Sequence, residues 1–207
     1  MTETPLDREH ILDKAIELAM ESSWASFSFS ELADSMNCSI ADIAQHFRSK
    51  DDMAELFFDR ADRAMWSLHS DQTFRTLPDD EKLFECIICW FESLSPYKPL
   101  VKDMLGYKLE PGHFHLQGHG VTRISRTVQW FLEVAEREHS GLKRIADEFA
   151  VTSVYLTSFS CYLFDNNEQH AKTRALLKCL IHQVDKNHNL FSLSKSHRSG
   201  PSENNNA

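Results

Sequence analysis

Glycine and proline are both scarce, six of each among 207 residues, too few for the many tight turns of a large all-β fold. Long hydrophobic runs are missing too. Even residues 151–164, VTSVYLTSFSCYLF, are interrupted by Ser and Thr and fall short of the roughly 18 to 20 continuous apolar residues of a membrane span. There is no Gly-rich phosphate loop, no GxSxG elbow and no HExxH pair, so neither a nucleotide site nor an enzyme is expected. The cysteines, Cys38, Cys86, Cys89, Cys161 and Cys179, are odd in number and mostly set in apolar helical text, which suits reduced thiols better than a disulfide frame. Positive charge is short as well: 22 Lys and Arg against 31 Asp and Glu give a net −9 with His neutral. That excludes a whole-surface affinity for nucleic acid or an anionic membrane and leaves any DNA contact local. The opening MTETPLDREHILDK carries acid before any apolar run, the reverse of a secretory signal, so a cytoplasmic protein is expected.

What the chain does have is helical periodicity, and the expected fold class is all-α. Ile11, Leu12, Ala15, Ile16, Ala19 and Met20 recur on one face, with Asp13, Lys14, Glu17 and Glu21 on the other. Ser28-Phe29-Ser30-Glu31 reads as a capping box ahead of a short helix over 29–35. Met36-Asn37-Cys38 follows, where Asn tolerates a left-handed turn. Ser39 can cap a third short helix through Gln45, with Asp42 placed favourably in its first turn. Ser49 and Asp52 repeat the start signal for a fourth, running toward His69. Further helices are predicted over 79–94, 96–107, 114–139, 143–164 and 168–186. From Asn187 the polar text suggests a frayed tail. The expected organisation is a helix-turn-helix unit over 1–52, a larger helical bundle over 53–188 and a disordered tail over 189–207.

Two short helices joined by a tight turn and supported by a preceding helix make a helix-turn-helix, whose second short helix enters the major groove. Over about residues 8–58 the text resembles the DNA-binding region of the TetR family of bacterial transcriptional regulators. The resemblance rests on Ile11 to Ala15, on Trp24 after a turn, on Leu32-Ala33 in the second helix, and on the ending Ala44-Gln45-His46-Phe47-Arg48-Ser49-Lys50. It departs from the family at Ala44, where a phosphate-contacting Tyr is usual, at Ser23 in place of a turn Gly, and at Ile40, Ala41 and Asp42, where Lys, Gly or Thr are frequent. Within residues 1–50 four cations face nine acids, a net −5, which is poor for counterion release. The resemblance implies a double-stranded DNA operator as partner, with Ser39, Ile40, Ala41, Asp42 and Gln45 facing bases and Ser28, His46 and Lys50 holding phosphates. It also implies repression relieved by a small ligand that wedges the bundle, tilts the fourth helix and respaces two readers. A second group with the same fold, lipid-binding accessory proteins of ubiquinone biosynthesis, no longer reads DNA. The Ser-Trp after the first helix and the Leu-Ser-Pro-Tyr at 94–97 look similar to that group too, and both readings stand.

The bundle is rich in aromatics at helical spacing, for which a packed core is the default. Bundles also place small-molecule sites between helices, so Trp66, Trp90, Phe91, Met104, Tyr107, Trp130, Phe131, Tyr155 and Phe159 are candidates for lining a site for a small apolar or aromatic ligand. Val154, Ser158 and Cys161, then Leu176, Leu180 and Val184, suit a four-helix seam between two copies, so a homodimer is expected. Cys86-Ile-Ile-Cys89 has the spacing of half a zinc site but lies in an apolar-periodic helix without a second pair. His113, His115 and His119 concentrate in a Pro/Gly loop and make chelation conceivable. No metal or cofactor is expected.

Overall fold

A computed structural model describes residues 6–109, 114–137, 141–167 and 169–196, with the side chains of 109, 114–119, 142 and 187–196 excepted. The described residues contain helices and turns and no strand. Helix α1 (Arg8–Glu21) begins where the Asp7 carboxylate accepts from the His10 amide. It buries the expected stripe Ile11, Leu12, Ala15, Ile16 and Ala19. Helices α2 (Phe29–Ser35) and α3 (Ile40–Ala44) follow, then α4 (Lys50–Trp66). A 3-10 turn and a one-turn helix α5 (Gln72–Arg75) lead to α6 (Asp79–Ser93), α7 (Lys98–Leu109), α8 (Phe114–Val134), α9 (Leu142–Phe164) and α10 (Ala171–Ser196).

The long helices fall where hydrophobic periodicity predicts them. Helix α8, expected to reach residue 139, ends at Val134, with Glu136 just beyond it in a left-handed turn at φ +56°, and two further features differ. Gln72–Arg75 fold a short turn of helix between α4 and α6 that buries Phe74, a segment too brief to show a period. At the other end α10 runs through Ser196 past the fraying expected from Asn187, because Leu190, Phe191 and Leu193 continue an apolar spacing before Gly200-Pro201. Residues 197–207 lie outside the described residues.

One hydrophobic core spans both expected units. Trp24, Phe27, Leu32, Ile43 and Phe47 close the N-terminal end over α1 and the start of α4, and Trp90, Phe91, Phe131, Tyr155 and Tyr162 fill the bundle. Each such side chain contributes about 1.5–3 kcal/mol when fully buried. Helix α4 belongs to both ends: it packs on α1, and on α6 and α8 of the bundle. No helix of the described residues is long and apolar enough to cross a membrane.

Candidate nucleic-acid interface

The reader unit is assembled by side-chain caps. The Ser28 hydroxyl accepts from the Glu31 amide at 3.2 Å while the Glu31 carboxylate accepts from the Ser28 amide at 2.7 Å, starting α2. Ser39 and Asp42 repeat the exchange at the start of α3, at 3.2 and 2.9 Å. Each exchange satisfies two amides that a helix start leaves orphaned. Between the two helices Asn37 adopts φ +53°, the left-handed turn its short polar side chain tolerates. Opposite the turn Ile43 is fully buried, leaving Ile40, Ala41, Ala44 and Gln45 exposed together.

Several residues expected to touch DNA are engaged within the protein. The Asp42 carboxylate also accepts from the Ser39 hydroxyl at 2.7 Å, so it is folded back on the cap, and these hydrogen bonds hold its pKa below the ordinary carboxylate value. Lys50 donates to the carbonyls of Trp24 and Ala25, both at 3.0 Å, and its ammonium lies 4.4 Å from the centre of the Phe27 ring. Burial there pulls the lysine below its usual pKa. It fastens the α1–α2 loop to the start of α4. Ser28 likewise serves the cap of α2, and His46 is half-buried directly after α3. Arg8 sits over the ring of Phe47 at 4.8 Å.

The unit is tied to the bundle through α4 and α7. Arg60 pairs with Glu9 and Asp13 of α1, each at 2.7 Å, and Arg63 reaches Glu9 at 2.7 Å. The Trp24 amide donates to the Asp103 carboxylate of α7. On the bundle side α4 carries a ladder of acids, Asp51, Glu55, Asp59 and Asp62, at spacings that share one helix face. Lys108 of α7 meets Asp51 at 2.6 Å and Glu55 at 3.4 Å. Arg123 of α8 is almost fully buried. It pairs with Asp59 and, at 2.8 Å, with Asp62. Arg126 reaches Glu55 at 2.8 Å and Asp59 at 3.2 Å. Asp62 also accepts from the Trp90 indole at 2.8 Å and the Thr127 hydroxyl at 3.3 Å. Burial pushes its carboxyl up and the Arg123 charge opposes that without cancelling it. Arg123, Lys108 and the acids of α4 carry no sequence motif. The only available signal was the i, i+4 rhythm of acids on α4.

The candidate ligand residues occupy two settings. Trp90, Phe91, Phe131, Tyr155 and Phe159 pack ring on ring, with Trp90 centred 5.5 Å from Tyr155 and 5.6 Å from Phe159. Met104 is fully buried, and Tyr107 lies half-buried with Lys50 5.9 Å from its ring centre. Trp66 and Trp130 face each other at 4.8 Å. Trp130 alone of the nine lines a half-open cavity of about 1060 Å³ between α8 and the start of α9, whose other walls include Arg126, Glu133, Glu136, Arg137, Arg144 and Glu148. That lining is far more charged than the apolar site expected from the sequence.

Of the expected seam residues, Val154 and Ser158 are turned into the protomer's own core, so the exposed face of α9 is displaced from the one predicted. The large apolar side chains of α9 left open are Ile145, Phe149, Leu156 and Phe164. Cys161, Leu176, Leu180 and Val184 are half-buried along α9 and α10. Cys86 is buried on α6, and burial pushes its thiol and that of Cys89 up, away from the thiolate a metal needs. Among the described residues no cluster of His, Cys, Asp and Glu could hold a metal. His113 and the side chains of His115 and His119 lie outside what is described.

Two solved structures resemble the chain along most of its length. A TetR transcriptional regulator from Nitrosomonas europaea is 32% identical, the match covering 86% of this chain and 97% of that one with a TM-score of 0.75. A TetR-family transcriptional regulator from Streptomyces coelicolor is 15% identical over 91% of this chain and 97% of that one, TM-score 0.58, a likeness of fold alone. No protein-family profile matches the chain. No curated protein matches it in sequence.

Proposed function

The chain belongs to the TetR family of transcriptional regulators, and from that premise we propose that it is a homodimeric repressor that binds an operator through α3 and releases it when a small molecule enters the bundle. The observation that carries the DNA reading is the presentation of α3. Its buried side is anchored by Ile43, its start is capped, and Ile40, Ala41, Ala44 and Gln45 stand free on the outer side. A major groove admits one helix presented in this way. His46 and the exposed Arg48 supply donors near the end of α3 for phosphates.

The ion-pair ladder on α4 supports regulation from the bundle. A ligand that displaces α8, on which Arg123 and Arg126 stand, acts directly on the helix that carries the reader. To reverse occupancy the ligand needs a differential affinity of a few kcal/mol between the two positions of α4. The cavity beside Trp130 offers an entry for a molecule whose aromatic body meets Trp130 and whose polar or charged groups meet the surrounding Arg and Glu side chains. Dimerisation is supported by the exposed Phe149 and Phe164, at 77% and 75% of their full accessibility, on a helix already packed against α10.

The deciding measurement is affinity across a salt series for the DNA immediately upstream of the gene, compared with a scrambled duplex of equal length. A complex roughly 10³-fold tighter on the native duplex is the expected result. Equal, weak binding to both would remove the regulator reading and favour the lipid-binding alternative.

A further inference from the structure

The chemistry of α3's exposed face specifies which bases it can read. Ile40 with Ala44 and Ala41 with Gln45 are one turn apart, so all four side chains share one side of the helix. Ile40 keeps 49% of its surface in water, an unfavourable state for a branched apolar side chain unless something covers it. Residues 39–45 include neither Lys nor Arg, the side chains that most often grip the two acceptors of guanine. The acidic group at the helix start, Asp42, is held by the Ser39 amide and hydroxyl, so it is not extended to accept from a cytosine amine. Lys50 is committed to the Trp24 and Ala25 carbonyls. What remains is three apolar side chains and one primary amide.

Those groups match one base pair far better than the other. Thymine is the base that places a methyl group in the major groove, and adenine offers the donor and acceptor that a Gln amide pairs with through N6 and N7. We propose that α3 reads A·T pairs, with Ile40, Ala41 and Ala44 covering thymine methyl groups and Gln45 held across an adenine. The operator half-site is then defined by methyl contacts. This specificity rests on the DNA-binding reading above.

The methyl test uses the unaltered full-length protein and altered DNA, and only the adenine control adds a variant, at the exposed Gln45. Duplexes are selected from a random pool, and the tightest is resynthesised with each half-site thymine replaced in turn by uracil, which removes only the methyl group. Loss of about fourfold in affinity per methyl read is expected. Replacing the adenine opposite Gln45 by 7-deazaadenine lowers affinity at least about fivefold, and in the exposed-site variant Gln45→Ala that difference vanishes. A selected duplex that binds equally well with uracil throughout overturns the proposal and leaves the chain a DNA-binding regulator. Failure to select any duplex overturns both.

Discussion

Lys50 shows how a residue can match a family motif and be engaged otherwise in the fold. Its ammonium is half-buried, bonded to two carbonyls and seated on the Phe27 ring. Hydrogen bonds from a charged donor are each worth more than neutral ones. Lys50→Ala is expected to lower stability by about 2 kcal/mol in urea unfolding. It should leave the salt dependence of DNA binding unchanged, whereas loss of a phosphate contact would reduce the slope by about one. Asn37 and the two Ser caps behave differently. Their roles were legible because a left-handed turn and a capping box are decided within three or four residues. Where the Lys50 side chain points was not legible, since its partners are 25 and 26 residues away.

At the scale of elements, α4 is the joint of the molecule. Its outer end is held by Glu9 and Asp13 through Arg60, and its bundle face by Lys108, Arg123 and Arg126. Removing one member of a buried pair leaves the other charge uncompensated, which is costlier than never having placed the pair there. Arg123→Met should therefore cost about 3–5 kcal/mol of folding stability. Adding Asp62→Leu should restore part of it, because the stranded carboxylate is then gone. A double-mutant cycle by denaturant unfolding measures this coupling, and strictly additive effects would show that the two side chains do not act together. The ladder of acids was visible on the sequence as a rhythm, but its partner was not. Arg123 sits 61 residues from Asp62, and only the crossing of α4 and α8 joins them.

At the scale of the whole molecule, the exposed apolar side chains Ile145, Phe149, Leu156 and Phe164 of α9 bear on assembly. Phe149→Glu places a charge in the proposed seam while disturbing nothing inside the protomer. Sedimentation at micromolar concentration should then show monomer, and operator affinity should fall by about 100-fold or more as the two readers lose their linkage. A dimer that persists in this variant would move the seam elsewhere.

The all-α class, the long helices and the helix-turn-helix were set by the sequence alone, because capping, turn chemistry and hydrophobic period act over a few residues. Which side of each helix meets which neighbour was decided only in the folded chain. The sequence assigned Val154 and Ser158 to a seam because small apolar residues at helical spacing suit either an interface or a core. Packing of α9 on the bundle turned both inward and left Phe149 outside. The aromatics expected around a ligand likewise stack on one another, and the cavity opens instead among charged side chains of α8 and α9. Periodicity assigns a residue to a face; only the path of the other helices determines what that face meets.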